Sequence, residues 1–211
     1  MANISRGCGL ALHTSSPELG LALRCLPSEN RCQTWNMGRD LSTRLHRCLA
    51  EFLPPQIWSD LGWIAVAKGP GSFTGTRIGI VTARTLAQQL EIPLYALSTL
   101  KAAAWNLYCQ NQVTGSTLAL QMQAQRGELF VAVYAQNTEY GLRDLFPDTV
   151  LSPETWSQKL SQWPDHQLFH LEGGLGDCAA SLLDLAHQQH QQGQFSHWSE
   201  AIPFYGQHPV T

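Results

Sequence analysis

The sequence carries little charge and no long apolar run. Lys and Arg together number 13 of 211 residues, Asp and Glu number 16, and the formal net charge is −3. A protein that holds RNA on its own surface usually has a clear basic patch, so direct RNA binding is not expected. No apolar stretch approaches the ~20 residues of a membrane span, and the start of the sequence lacks a secretory pattern. A cytoplasmic location without a membrane partner is therefore expected.

The sequence also lacks several motifs that are typical of zinc sites, phosphate-binding loops and catalytic nucleophiles. The six cysteines contain no CxxC, and their scatter predicts reduced thiols, mostly small core residues, rather than disulfides or a zinc site. They are Cys8, Cys25, Cys32, Cys48, Cys109 and Cys178. The sequence has neither the GK[ST] of a P-loop nor a GxSxG nucleophile elbow, so neither of those enzyme classes is expected.

Turn residues and hydrophobic periodicity divide the chain into two similar halves. In the first half the pattern predicts strands at 8–14, 19–25, 31–37, 63–67 and 93–97, and helices at 40–52, 72–90 and 98–109. In the second half it predicts strands at 117–122, 129–135, 144–151 and 167–171, and helices at 153–160 and 177–189. The repeated order predicts a duplicated α/β unit, with one domain over residues 1–110 and a shorter one over 111–211.

The stretch from 69 to 84, GPGSFTGTRIGIVTAR, carries the strongest local signal. It runs from an apolar strand through three turn-forming residues into a helix, and a helix N-terminus can receive an anion. Gly71, Ser72 and Thr74 are therefore candidate anion contacts. Ser72 and Thr74 could equally be helix caps, and a structural turn is the favoured interpretation.

Every fourth residue of this predicted helix is small. The four residues are Gly75, Gly79, Ala83 and Ala87. Glycine inside a helix costs about 1 kcal/mol relative to alanine, so another backbone is expected to come close to this ridge. That backbone could belong to the chain's own sheet or to a second subunit, and the subunit interface is the favoured interpretation.

A polar rim beside the ridge suits hydrogen bonds and charge pairs across such an interface. The predicted rim residues are Arg44, Arg77, Ile80 and Arg84. On this hypothesis, Gly79→Leu would leave the isolated protein folded and would abolish partner binding.

The segment GPGSFTGTRIG resembles the GPGSFTGLRIG of the bacterial TsaB family, also called YeaZ. Agreement continues in LALHTS at 10–15, PLYALSTL at 93–100, QAQRGEL at 123–129 and the ending PFYGQHPVT at 203–211. The resemblance spans essentially the whole chain. It implies an α/β fold of two ribonuclease-H-like lobes of the actin and hexokinase (ASKHA) type, with the second lobe reduced.

The resemblance also implies a function. TsaB proteins are non-catalytic partners of TsaD, which transfers a threonylcarbamoyl group to the adenosine next to the anticodon of tRNA, and the ATPase TsaE joins them. ATP and metal are then expected on the partner subunits, with no cofactor on this chain. Contact with tRNA is expected only through the complex, and a homodimer is the alternative assembly. In the family, the two corresponding helices pair with TsaD or with a second TsaB.

Two departures from the family pattern bear on chemistry. Actin-like phosphotransferases place a carboxylate at the end of the first strand of each lobe, where the pair holds the metal and phosphates. Here the two positions are His13 and Gln123, and Gln125 replaces an arginine. These changes weigh against nucleotide hydrolysis and leave a scaffold role intact. No catalytic residue is therefore expected, the alternatives being an actin-like ATPase or kinase and, less favoured, a glycoprotease-type peptidase.

Two weaker signals lie near the end of the chain. His166 and His170 form an HxxxH, but on the predicted strand they would lie ~13 Å apart, too far to share one metal ion. Gly173 and Gly174 resemble the glycine pair that lets an adenosine approach the backbone in nucleotide-binding relatives, although two glycines are more often a turn.

Overall fold

A computed structural model describes residues 7–25, 29–137 and 141–206 of the chain. The end of the family-like closing segment, from residue 207 onward, lies outside the described residues, as does the start of the sequence. Within the described residues, no helix combines the length and apolar character needed to cross a bilayer.

The first half of the chain forms a five-stranded mixed sheet. Its strands are β1 (Cys8–His13), β2 (Glu18–Cys25), β3 (Glu29–Asn36), β4 (Leu61–Ala67) and β5 (Leu94–Leu97), in the spatial order β3-β2-β1-β4-β5. The first three strands are antiparallel, and β4 and β5 run parallel to β1. The helices of this half are α1 (Leu41–Phe52), α2 (Phe73–Leu90) and α3 (Thr99–Cys109).

The second half repeats this plan with one strand fewer. Its strands are β6 (Thr117–Gln123), β7 (Leu129–Asn137), β8 (Gly141–Leu151) and β9 (His166–Leu171), in the order β8-β7-β6-β9. Three of them are antiparallel, and β9 runs parallel to β6. The helices are α4 (Pro153–Leu160) and α5 (Ala179–Gln191). The predicted fold class, two similar α/β units with the second reduced, is confirmed.

The strands β1, β2 and β4 of the first sheet are buried on both faces, whereas the edge strand β3 is largely exposed. Because side chains alternate along a strand, Leu10 and Leu12 of β1 pack toward α1 and α2, and Ala11 packs toward α5 and part of α3. The helix α5 thus belongs to the second half in sequence but covers the sheet of the first. A boundary at residue 110 separates the two sheets without separating their cores.

The cysteines differ from expectation in one respect. Cys8 and Cys25 are directly opposed on β1 and β2, with Cα atoms 4.1 Å apart, and form a disulfide. The prediction that all six thiols are reduced is therefore wrong for this pair, because antiparallel pairing brings residues 17 apart in sequence to adjacent positions. Cys48 and Cys178 are buried free thiols, whereas Cys32 and Cys109 are exposed.

Candidate functional site

The turn between β4 and α2 is fixed by its neighbours. The N–H of Ser72 donates to the carbonyl of Ser15 (2.7 Å), which ties the turn to the chain just after β1. A side chain at Gly71, where φ is +152°, would place its Cβ 2.1 Å from that same carbonyl oxygen. Only glycine fits this close approach. Ser72 caps α2, its Oγ accepting from the N–H of Gly75 (3.2 Å), which confirms the predicted capping role.

The small residues of α2 face the chain's own first sheet. A Cβ added at Gly75 would lie 2.1 Å from the carbonyl oxygen of Thr14, and one added at Gly79 would lie 2.1 Å from Thr14 Oγ1. That hydroxyl donates to the carbonyl of Gly75 (2.8 Å), and Ala83 and Ala87 are fully buried in the adjoining core. The close approach inferred from the sequence is therefore real, but it is made by β1 and the residue that follows it.

This packing corrects part of the predicted interface. The ridge residues are inaccessible to a second chain, because the chain itself covers them, and Ile80 is buried beside them. The predicted arginines lie elsewhere: Arg77 and Arg44 are exposed, and half-buried Arg84 stacks over the ring of Trp198 at 5.9 Å. The outward side of α2 also exposes 55% of Val81. On α2 itself, only this outward side is open to a partner.

The histidine at the end of β1 is not accessible as a metal-coordinating side chain. His13 is fully buried, and neither ring nitrogen has a hydrogen-bond partner among the described residues. Desolvation lowers the pKa of His13 to about 4, so the ring is neutral at pH 7. A closed, neutral imidazole cannot replace the carboxylate that a nucleotide-bound metal requires.

The end of β6 is equally unsuited to a metal. The Gln123 amide nitrogen donates to the carbonyls of Ala124 and Glu128 (both 3.2 Å), so this side chain braces its own turn. Within the described residues, no group of three or more His, Cys, Asp or Glu side chains could hold a metal ion. The residues present therefore do not fit the metal–nucleotide site that the fold class implies.

A cleft of about 900 Å³ nevertheless lies between the two halves of the chain. From the first half it is lined by the residues after β1 and the start of α2, and from the second by the ends of β6, β7 and β9. The polar residues among its lining are Ser15, Ser16, Ser72, Gln121, Gln123, Gln125, Arg126, His170 and Glu172. The rest of the lining is mostly apolar, and the tilted rings of Phe73 and Tyr205 contact each other on its wall, with centroids 4.4 Å apart.

The weak anion candidates are only partly brought together. Gly71, Ser72 and Gly173 line the cleft, whereas Thr74 and Gly174 are exposed residues outside its lining. Sequence reasoning missed Ser15 and Ser16, because a serine pair before a proline is an ordinary turn signal. Nothing in the sequence shows that these hydroxyls would be buried at a cleft wall.

The two histidines of the HxxxH lie on β9, so the predicted strand is confirmed. His170 Nδ1 is 3.0 Å from the Gln121 amide nitrogen, and Gln121 in turn accepts from the indole N–H of Trp156 (2.8 Å). His166 Nδ1 lies 2.6 Å from the carbonyl oxygen of Trp163. Both imidazoles thus have polar partners within the second half of the chain.

One further polar cluster joins the two halves. Ser98, the cap of α3, donates to Asp148 (2.9 Å), and Tyr134 donates to the same carboxylate oxygen (3.0 Å). Burial is the main cause that raises the pKa of Asp148. Because the serine has no imidazole beside it in this network, the cluster lacks the general base of a nucleophilic triad. Its contacts hold the first half against β7 and β8.

Comparison with known proteins gives consistent results. The sequence model of the family described as "TsaD: tRNA N6-adenosine threonylcarbamoyltransferase" matches residues 39–176. The tRNA threonylcarbamoyladenosine biosynthesis protein TsaB of Bacillus subtilis (strain 168) is 32% identical over 158 residues, which cover 72% of this chain and 66% of that protein. The TsaB of Escherichia coli (strain K12) is 31% identical over 170 residues, covering 70% of this chain and 71% of that protein.

Solved structures agree on the fold. YeaZ from Pseudomonas aeruginosa superposes with a TM-score of 0.77 at 24% identity, covering 94% of this chain and 99% of that one. A second structure from that organism, described as similar to the peptidase YeaZ, gives a TM-score of 0.79, also at 24% identity, over 95% and 100% of the two chains. At this identity the likeness establishes the fold alone.

Proposed function

Because this chain belongs to the TsaB (YeaZ) family, we propose that it is a non-catalytic partner subunit in the formation of threonylcarbamoyladenosine in tRNA. The observation that carries the proposal is the similarity to two TsaB proteins over about 70% of the chain. The family model that matches residues 39–176 points to TsaD chemistry as the reaction that this subunit supports.

The state of the cleft supports a non-catalytic role. Phosphotransfer in this fold class requires carboxylates that hold a hard cation, and the two corresponding positions are a closed histidine and a glutamine that braces its own turn. No feature of the described residues favours an ATPase, a kinase or a peptidase. ATP and metal are therefore assigned to the partner subunits.

The outward side of α2 is the proposed docking surface for TsaD. It consists of the exposed residues that project away from the first sheet, together with half-buried Arg84 and the neighbouring α1 arginine. These are Thr74, Arg77, Val81, Arg84, Thr85, Gln88 and Arg44. An apolar centre flanked by arginines has the composition of a protein–protein contact. A homodimer through the same surface and a contact with TsaE remain subsidiary parts of the proposal.

The proposed role also accounts for the weak charge of the chain. With 13 basic and 16 acidic residues, it lacks the electrostatic attraction that holds tRNA phosphates. Recognition of tRNA is therefore assigned to the complex, and the place of action to the cytoplasm.

The decisive experiment uses TsaD and TsaE from the same organism. We expect this chain to co-purify with TsaD, and we expect threonylcarbamoyladenosine formation in vitro to depend on its addition. The variant Val81→Asp would place a charge at the centre of the docking surface. It is expected to reduce both the co-purification with TsaD and the formation of threonylcarbamoyladenosine, while the chain stays folded. TsaD that modifies tRNA equally well without this chain would overturn the proposal.

A further inference from the structure

We propose that Cys32 and Cys178 are a site of reversible oxidation, at which a small disulfide converts the two thiols into a second disulfide of the chain. The bond would join the edge strand β3 of the first half to the residue that precedes α5 in the second half. Both thiols are free in this structure, so the proposal concerns an oxidised state of the same fold. It goes beyond the partner role and does not depend on it.

Strand register places the two cysteines on one side of the first sheet. Cys32 on β3 is directly opposite Ala22 on β2, and opposed residues of antiparallel strands project from the same face. Ala22 belongs to the buried cluster on the α5 side of the sheet, and so does Cys178, which is 3% exposed. The face that carries the Cys32 side chain is therefore the face against which Cys178 packs.

Contacts on either side of Cys178 hold the two segments together. Thr34 projects from the same face as Cys32, since the two are separated by one residue, and its hydroxyl donates to the carboxylate of Asp177 (2.6 Å). The backbone N–H of Ala180 donates a hydrogen bond to the Cys32 sulfur. The strand β3 thus contacts the chain immediately before and after Cys178, which brings the two sulfur atoms into the same small region.

The surroundings of the two thiols determine how readily they react, because the thiolate is the nucleophile in disulfide exchange. Burial raises the pKa of Cys178 to about 12, with further contributions from the negative charges of Asp177 and Cys32. Burial and Asp177 also raise the pKa of Cys32, which the Ala180 N–H lowers. Cys32 is the exposed member of the pair, so it is the thiol that meets a reagent in solution.

The oxidant is a small disulfide, such as oxidised glutathione, and the exchange balances in two steps. The Cys32 thiolate attacks one sulfur of the reagent, which breaks the S–S bond, forms a mixed disulfide and releases one thiolate. Cys178 then loses its proton to solvent and attacks the Cys32 sulfur, and the second thiolate of the reagent leaves. Two protein thiols are oxidised to one disulfide while one reagent disulfide is reduced to two thiols. Because Cys178 reacts only with its neighbour, the reagent need not reach it.

The bond would restrain the wall of the cleft and the fold as a whole. Gly173 and Leu175, shortly before Cys178, line the cleft, and a cross-link to β3 would hold this wall against the first sheet. The bond would also enclose most of the chain, whereas the Cys8–Cys25 disulfide encloses one hairpin. Cross-links that enclose longer loops stabilise more in the chain-entropy model, so oxidation should raise thermal stability.

The test is peptide mapping by mass spectrometry after the intact protein has equilibrated with oxidised glutathione. Remaining thiols are blocked with N-ethylmaleimide in denaturant, and the protein is digested without reduction. We expect a linked peptide that joins Cys32 to Cys178 and that disappears after treatment with dithiothreitol. Absence of this peptide, with Cys32 either free or carrying glutathione, would overturn the proposal.

Thermal unfolding measures the restraint that the bond supplies. The oxidised protein should unfold at a temperature roughly 5–15 °C above that of oxidised Cys32→Ser, and the difference should disappear when both are reduced. The matched control is Cys109→Ser, which removes the other exposed free cysteine, on α3, and should keep the full increase. Equal Tm values for the oxidised protein and oxidised Cys32→Ser would contradict the cross-link.

The rate of oxidation tests the placement of the thiols beside Asp177. Its charge raises the pKa of both thiols, so Asp177→Asn should accelerate formation of the linked peptide by roughly two- to tenfold at neutral pH. Asparagine keeps an oxygen that can accept from Thr34. Asp165→Asn, an exposed carboxylate before β9, is the control and should leave the rate unchanged. Equal rates for the two variants would contradict this placement.

Discussion

The two faces of the first sheet are covered in different ways. On one face α1 and α2, which are close in sequence to the strands they cover, meet the sheet with aliphatic side chains and the glycines of α2. On the other face α5 arrives from the end of the chain and brings His187 and His190, which stack on Trp63 at 6.0 and 5.9 Å. His13 lies two residues beyond Ala11 on β1, so its side chain projects from the same, second face.

The two faces therefore differ in their physical constraints: close backbone packing on the α2 face and the protonation of buried or half-buried histidines on the α5 face. On the α2 face the close approach of backbones restricts the size of side chains, since a Cβ at Gly75 or Gly79 would lie 2.1 Å from an oxygen atom of Thr14. On the α5 face desolvation is the first cause that lowers the pKa of His13, His187 and His190. Changes of residue volume should therefore matter most on the first face, and changes of pH on the second.

The largest expected effect is that of Gly79→Leu on the α2 face. Its Cβ would lie 2.1 Å from Thr14 Oγ1, so the helix must move away from β1 and the Thr14–Gly75 hydrogen bond must break. We expect the free energy of unfolding to fall by about 3 kcal/mol or more, measured by urea denaturation. Thr85→Leu, on the outward side of the same helix, is the control and should change it by less than about 0.5 kcal/mol. Similar stabilities of the two variants would contradict the buried ridge.

The close packing on the α2 face was predicted from the sequence, but the segment against which α2 packs was not. Glycine and alanine at every fourth position indicate close packing whichever backbone approaches, because the small size of these residues can be read from the local sequence. The identity of the approaching backbone depends on where β1 ends, which periodicity does not specify. The predicted helix 153–160 and the predicted cap Ser72 agree with the structure for the same local reason.

The α5 face could not be predicted in the same way. Its cover is α5, residues 179–191, which belongs to the second half in sequence, and periodicity does not specify which sheet a helix covers. The cleft depends on contacts between halves as well, which is why Ser15 and Ser16 escaped notice. The Cys8–Cys25 disulfide follows from strand register, which cysteine spacing alone leaves undetermined.

The next largest effect should be the pH dependence caused by His13. Burial lowers the pKa of His13 from 6.5 to about 4, so the unfolded chain binds a proton at higher pH than the folded one does. Stability is then complete above about pH 6.5 and declines as the pH falls toward 4, by roughly 3 kcal/mol in total. Urea denaturation at a series of pH values should show that His13→Leu loses this part of the acid sensitivity.

The histidine control lies on α1. His46 is exposed on the helix that covers the opposite face, and His46→Leu should keep the acid sensitivity of the unmodified protein. If the free energies of unfolding of His13→Leu and of the unmodified protein fall in parallel between pH 6.5 and 4, His13 does not cause the acid sensitivity of the α5 face.

The smallest expected effect concerns the outward side of α2, where neither packing nor burial is involved. Arg77 is exposed and has no ion pair among the described residues, so Arg77→Glu should leave the free energy of unfolding within about 0.5 kcal/mol. If TsaD docks there, the reversed charge should weaken the complex by about 1–2 kcal/mol, or roughly tenfold, in a calorimetric titration with TsaD. Arg143→Glu reverses the charge of another exposed arginine, on β8, and should leave the affinity unchanged. Equal affinities for the two variants would mean that this side of α2 is not the docking surface. A loss confined to Arg77→Glu would instead show that the two sides of α2 have different roles, because the inner side packs on the sheet and the outer side binds the partner.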